Sequence, residues 1–312
     1  MRLATRGSPL ALHQTETVAA LLRAAHPGLD VEPVVVRTRG DQDASAPLDQ
    51  IGGQGVFVTE VEAAVADGRA DAAVHSAKDM PSVMGPSFVL GAVPPRADPR
   101  DALVGCRLAE LPAGALVATG SARRRAQLAY LRPDLVFRDL RGNMARRVAA
   151  AGPGGVTAVV VALAAMERLG WLDQVTDVLD PVDVLPQAGQ GAIAVQCRAG
   201  DGATRALLAA IDDDATHRAV RAERAVLATL GGSCTVPVGA LAEEVPATDG
   251  APRALRVSGL MASADGHTMI RLSREGEDPE AVGSAVARAL LGGGGAAIEG
   301  FDRGPAGSGA GR

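Results

Sequence analysis

RLATRGSPLALHQTETVAALLRAAHPGLDVEPVVVRTR, residues 2–39, decides the fold. A short apolar run ends on a cation, a helical pattern runs from Pro9 to His26, and VEPVVVRTR returns to strand composition. Ser8 suits the N-cap and Pro9 the first helical position, where its missing N–H costs nothing. The pattern then repeats: Phe57 to Asp67 reads as a second helix closed by Gly68 at its C-cap, and DAAVH as the next strand. Strands alternating with helices predict an α/β fold.

Working outward, PPRADPR (94–100) interrupts the alternation, and a second α/β series follows with LVATGS, VFRDLRG and VTAVVVAL, continuing to about 185. In LPQAGQGAIAVQCR (185–198) a glycine-rich stretch feeds an apolar strand, so a return crossing into the first domain would give a hinge of two strands. From about 214 the pattern changes to an amphipathic helix (Ala215–Leu230), the segment TVPVGALA, a hairpin turning at Asp265 and Gly266, and a helix opening at Asp278 and Pro279. The expected domains are 1–95 with 191–212, then 99–187, then a small α+β unit at 214–303. Residues 304–312, GPAGSGAGR, are expected to form a flexible tail with nothing to pack.

Composition narrows the function. A chain of 312 residues is too long for one simple core, so clefts between domains are expected. A net charge of -5 and an aromatic content of 2% argue against nucleic acid as a partner. Cys106, Cys197 and Cys234 are too widely spaced for a disulfide framework or a metal motif, which fits a reducing cytoplasm. The opening MRLATRGSPLAL lacks a signal-peptide pattern, and VTAVVVALAAM (156–166) is too short to span a bilayer. No long apolar stripe calls for a partner subunit, so a monomer is expected.

Of the 31 Lys and Arg residues, 30 are arginine, and the one lysine, Lys78, stands directly before Asp79 in HSAKDMPS (75–82). A compact ammonium fits narrow pockets and tunes its pKa in ways a guanidinium does not. The same construction recurs four times: a strand ends, a hydroxyl or amide and a cation follow, and a helix begins. The groups are Thr5, Arg6 and Ser8; Ser76 and Lys78; Thr119, Ser121, Arg123, Arg124 and Arg125; and Arg141, Asn143, Arg146 and Arg147. Helix starts favour anions, and arginine adds bidentate pairing to carboxylates. Each alone reads as a solvated charge; four at matching positions point to one ligand with many negative charges, in the crevice between the domains. Asp79 among these cations suits stabilisation of a cationic intermediate and proton transfer, or a purely structural ion pair. Cys234, after two glycines in LGGSCTVPVG, is either a small buried hydrophobe or a functional thiol. His75 lacks partners at metal spacing and reads as structural, so no metal site is expected.

Taken in order, ATRGSPLAL, TRGD, ADAAVHSAKDMPS, DPRDALV, TGSARRRAQL, LRGNMARR, LPQAGQGAIAVQCR and LGGSCTVPVGA resemble the porphobilinogen deaminase (hydroxymethylbilane synthase) family from residue 2 to about 292. The resemblance implies two α/β domains like those of type II periplasmic binding proteins, a hinge crossed twice, and a smaller α+β domain carrying the cysteine. It further implies that Cys234 holds a dipyrromethane cofactor through a thioether. Porphobilinogen would lose ammonia to an azafulvene, the growing chain would attack it, and four additions would precede release of hydroxymethylbilane. By position, Lys78, Ser76, Thr119, Ser121, Arg123, Arg124, Arg141, Asn143 and Gln190 would hold the cofactor. Arg6, Ser8, Gln14, Arg147 and Arg168 would hold substrate, with Phe57 over the pyrrole rings and Asp79 as the catalytic carboxylate. Many relatives carry lysines around a GGKG loop; this chain has Gln50, Gln54 and Thr59 there. The competing reading is a non-catalytic cytosolic binding module for a polycarboxylate or oxyanion. Cys234 and Asp79 separate the two, because a receptor needs neither a covalent anchor nor a carboxylate facing an anion.

Overall fold

The computed structural model describes residues 1–37, 58–152, 154–231, 236–246 and 253–301. Elements are numbered in chain order. The first sheet contains β1 (Arg2–Arg6), β2 (Glu32–Val36), β3 (Ala72–Ser76), β4 (Phe88–Ala92) and β10 (Ile193–Arg198), in the order β2-β1-β3-β10-β4. β1 pairs parallel with β2 and β3, whereas β10 pairs antiparallel with β3 and β4. Alternation along the strands gives the sheet two buried faces. Leu3, Ala72 and Val74 pack with Val18 and Leu22 of α1 (Pro9–Ala25), while Ala4 and Ala73 pack with Val61 and Val65 of α2 (Thr59–Ala66).

The second sheet repeats the plan with β7 (Val136–Arg138), β6 (Leu116–Ala118), β8 (Ala158–Ala162), β5 (Asp101–Val104) and β9 (Asp177–Val178), in that spatial order. Its first three strands run parallel, and β5 is antiparallel to β8 and β9. In each sheet the fourth strand enters directly from a crossing between domains: β5 follows the first crossing and β10 the second. That order, with its antiparallel fourth strand, is the type II periplasmic-binding-protein arrangement. The helices that follow its strands are α3 (Ala122–Leu131), α4 (Met144–Val148) and α5 (Leu163–Arg168).

The third unit is an antiparallel sheet, β11 (Val238–Glu244), β12 (Leu255–Ala262) and β13 (Met269–Gly276), covered by α7 (Asp214–Thr229) and α8 (Pro279–Gly292). α6 (Gly202–Ala209) returns to the first sheet beside β4 and β10. Ser8, Ser121 and Asp278 cap α1, α3 and α8 as side-chain acceptors, and the hairpin turns through Gly266 at φ 79°. Gly68 lies one residue beyond the cap of α2, which is Asp67, and takes the left-handed conformation there. Phe57, at the expected start of that helix, Cys234 and the 304–312 tail lie outside the described residues.

The two crossings run side by side. Ala97 N donates to Gly191 O at 3.2 Å, and Ala77 N donates to Ala192 O at 3.0 Å. Gly189 and Gly191 have φ 75° and 85°, and a Cβ would meet Lys78 N at 2.9 Å and Ala97 O at 2.4 Å respectively. Only glycine lets the return strand lie against both the Lys78 turn and the outgoing strand.

Candidate active site

Strand β3 ends at Ser76, and the chain turns through a 3₁₀ segment, Ala77–Asp79, that delivers Lys78 and Asp79 to the interdomain side. Gln14, buried on α1, donates from Nε2 to Ser76 Oγ at 2.8 Å and so ties the turn to the first helix. The carbonyl of Lys78 accepts from Gln187 Nε2 at 3.2 Å, and its ammonium donates to Gln190 Oε1 at 3.4 Å. Both glutamines belong to the return crossing, so the lysine is placed by the first domain and the hinge together. Burial lowers the Lys78 ammonium to about 8, and the Arg124 charge adds to this against the opposing charges of Asp79 and Asp101.

Across the cleft, Asp101 at the start of β5 organises the cations of the second domain. It is fully buried. Its Oδ1 accepts from Arg124 Nε at 2.9 Å and Nη2 at 2.7 Å, and from Gln190 Nε2 at 2.8 Å; Oδ2 lies 2.8 Å from Arg123 Nη2. Burial pushes the Asp101 carboxyl up, but the two guanidiniums and the Gln190 amide outweigh it and hold the group at about 2. Arg123 also donates to Leu185 O at 2.6 Å, and Arg124 to Val160 O at 3.1 Å. Sequence reasoning missed Asp101. The available signal was a lone carboxylate heading the apolar strand DALV.

The hydroxyls singled out in the sequence act first as caps. Ser8 Oγ accepts from Ala11 N at 3.3 Å, Ser121 Oγ from Arg124 N at 3.4 Å, Thr119 Oγ1 from Ser121 N at 3.2 Å, and Asn143 Oδ1 from Arg146 N at 2.9 Å. A hydroxyl that accepts from the backbone still has a hydrogen to donate, and the Asn143 amide keeps its two. Arg147, on α4, is half-buried, and its buried Nε has no hydrogen-bond partner among the described residues. Burial draws its guanidinium down; the charges of Arg124 and Arg141 press the same way and that of Asp79 opposes them. Lys78, Asp79, Arg123, Arg124, Arg141 and Arg147 therefore share one electrostatic site contributed by both α/β domains.

Other expected residues fall elsewhere. Gln190 is fully enclosed, with its amide donating to Pro99 O at 2.7 Å and to Asp101 while its oxygen accepts from Lys78 and Arg124. It brackets the two crossings and has no bond left for a ligand. Arg168 at the end of α5 donates to Gly191 O at 2.6 Å, which clamps the return crossing. Arg6, at the end of β1, lies close enough for its charge to lower His75, whose pKa burial takes to about 4 against the opposing Gln196 hydrogen bond. A second buried carboxylate, Glu223 on α7, also escaped the sequence reading. It accepts from Arg96 Nη1 at 2.6 Å, Gly189 N at 2.6 Å and Ala242 N at 2.9 Å, joining both crossings to the third unit.

A cleft between two receptor-like α/β domains, whose cations are preorganised by the buried Asp101 with the exposed Asp79 beside them, defines a protein that handles a polyanionic organic ligand. Residues 1–206 match the family model described as porphobilinogen deaminase, dipyromethane cofactor binding domain, and residues 217–292 match that of the C-terminal domain. The chain is 45% identical over 296 residues to porphobilinogen deaminase of Syntrophobacter fumaroxidans, spanning 93% of this chain and 94% of that one. It is 47% identical over 303 residues to the Roseiflexus castenholzii protein (96% and 98%) and 49% over 280 residues to that of Mycobacterium leprae (88% and 87%). A YaeC-family lipoprotein of Enterococcus faecalis, of solved structure, overlaps 69% of this chain and 91% of its own at a TM-score of 0.39 and 15% identity.

This chain belongs to the porphobilinogen deaminase family. It is a transferase of tetrapyrrole biosynthesis that joins four porphobilinogen molecules into hydroxymethylbilane with release of ammonia, on a covalently bound dipyrromethane. The binding-module reading is set aside. The residues present suit that cofactor: its pyrroles carry acetate and propionate groups, and the buried, unpartnered Nε atoms of Arg147 and Arg123 are donors of the kind carboxylates satisfy.

Proposed function

We propose that Asp79 is the catalytic carboxylate and Cys234 the thioether anchor of the dipyrromethane. When bound, the cofactor supplies the free α-carbon to which rings are added. Lys78, Ser76, Thr119 and Ser121 hold its carboxylates with Arg123, Arg124, Arg141 and Asn143. Arg6, Ser8, Gln14 and Arg147 receive porphobilinogen, Phe57 covers its ring, and Gln190 and Arg168 hold the hinge that positions these groups. Asp79 faces the positive charge that develops on a pyrrole as ammonia leaves, and takes up the proton released when the new bond forms. The domains run 1–95 with 191–212, 99–187, and 214–303.

The observation that carries this reading is the setting of Asp79 among cations of both domains, without a hydrogen bond or ion pair of its own among the described residues: its charge acts on Lys78 of its own turn and on Arg147 across the cleft. The net charge of -5 supports a protein without a nucleic-acid partner, the three widely spaced cysteines fit a reducing cytoplasm, and the lack of a long apolar stripe in the sequence fits a monomer. Among the described residues no helix is long and apolar enough to cross a membrane. Intact-mass measurement with peptide mapping tests the assignment: the purified protein should exceed its sequence mass by two pyrrole units, located on Cys234. An unmodified Cys234 in protein made where porphobilinogen is plentiful would refute it.

A further inference from the structure

Away from the cleft, the segment after the Lys78 turn and the start of β4 face α7 and the first turns of α8 across an open-mouthed cavity of about 580 Å³. Arg224 lies on its wall, and it is unlike the other basic side chains there. Arg221 is paired with Glu280 at 2.6 and 2.8 Å, and His217 with Asp212 at 2.9 Å. Arg224 is only 9% exposed, yet among the described residues it meets no carboxylate, and its one hydrogen bond there runs from Nη2 to Ser82 O at 3.2 Å. Burial draws its guanidinium down with no acid opposing the shift. A buried guanidinium normally has a charged partner, because desolvation is costly without one. Around it Met84, Phe88 and Leu90 of the first domain and Ala225 and Ala228 of the third form an apolar part of the wall, while the Thr229 and Ser284 hydroxyls bond to one another at 3.0 Å.

We propose that this cavity binds a carboxylate carried on a compact apolar body, with Arg224 as its counter-ion. The guanidinium fork offers bidentate donors to the head group, and the walls bury the body, which a small hydrated oxyanion could not use. The volume lies within the range of small-molecule sites. Because the walls come from the first and third domains, an occupant bridges them, and it contacts the helix that leads into the Cys234 segment. Binding to the folded state alone raises stability by mass action.

The test uses the holoenzyme and three probes, 3-phenylpropionate, the neutral 3-phenylpropanol and inorganic phosphate, followed by calorimetric titration and thermal unfolding. 3-Phenylpropionate is expected to bind with a Kd below about 1 mM and to raise the unfolding midpoint, and both effects should weaken about tenfold or more in Arg224→Gln. Ala228→Trp fills the mouth from an exposed helix position, so it should fold, keep basal turnover and abolish binding; it decides the matter if Arg224→Gln does not fold. Equal binding of phosphate or of the alcohol overturns the proposal, as does unchanged 3-phenylpropionate binding in Ala228→Trp. So does competition with porphobilinogen that persists in Ala228→Trp, which would place the probe in the central cleft.

Discussion

Asp101 Oδ1 accepts two hydrogen bonds from Arg124, from Nε at 2.9 Å and Nη2 at 2.7 Å, in a site from which water is excluded. The same carboxylate faces Arg123 and Gln190, and Gln190 in turn meets Lys78. The aspartate thus fixes the orientation of cations on both sides of the cleft while removing part of their charge. A cleft that must take up carboxylates gains geometry from this at the expense of net attraction.

Removing Asp101 leaves two buried guanidiniums facing each other. Asp101→Leu is therefore expected to destabilise the protein by about 3–5 kcal/mol, the usual consequence of breaking a buried ion pair by deleting one partner. Chemical denaturation monitored by circular dichroism checks this. Asp101→Glu, which keeps the charge, should recover part of the loss; equal loss in both variants would show that packing and not charge is at stake.

Lys78 has a folded-state value near 8 against its ordinary 10.5. Between those limits the unfolded chain binds more protons, so stability rises with pH across the window, and below about 8 the cost of the buried ammonium is present in full. Carboxylates entering the cleft act oppositely and should move the midpoint upward. As the only lysine, it gives a single side-chain signal after reductive ¹³C-methylation. A midpoint near 8 in the protein before cofactor assembly, rising in the holoenzyme, is expected. Lys78→Arg should lower kcat about tenfold, ~1.4 kcal/mol of barrier, because the wider guanidinium crowds the site.

His75 is buried and bonded to Gln196, whose amide continues to Glu62. Its value falls from 6.5 to about 4. Over that interval the unfolded chain again holds the extra proton, so stability falls as pH falls, by up to about 3 kcal/mol. His75→Asn should flatten the stability–pH curve between 6.5 and 4. An unchanged slope in that variant would assign the acid sensitivity to other groups.

The alternation of strand and helix, the helix starts at Ser8 and Asp278, and the change of pattern near 214 were legible because each is written in adjacent residues. The carboxylates that organise the site were not. Asp101 meets Arg124 23 positions away, and Glu223 meets Arg96 127 positions away, so no local spacing announces either pair. Glu223 did leave one trace: it shares the buried stripe of α7 with Ala219, Ala222 and Val226, where a charge is out of place unless paired. Conversely, Gln190 carries the residue type of a ligand contact yet spends its bonds on Pro99, Asp101, Lys78 and Arg124, and Arg168 gives one of its donors to Gly191 of the hinge. Sequence reveals which groups can bind an anion, whereas the fold decides which donors remain after the protein has satisfied itself.

Asp79 is the carboxylate that the protein leaves exposed, on a turn held by Gln14 through Ser76 and by Gln187 through Lys78 O. No described hydrogen bond or ion pair depends on its side chain, so Asp79→Asn removes a charge and one acceptor without opening a cavity. Folding and cofactor attachment should therefore persist. Turnover should fall about 10²–10⁴-fold, the range for loss of a positioned acid–base group, because an amide neither balances a cationic pyrrole nor accepts its proton. Steady-state kinetics together with intact mass separate the outcomes. Cofactor-loaded protein with near-normal turnover would remove Asp79 from the chemistry, and loss of the cofactor with folding intact would move its role to assembly. A fall in kcat with KM little changed is the expected result, since the charge it opposes develops only as the reaction proceeds.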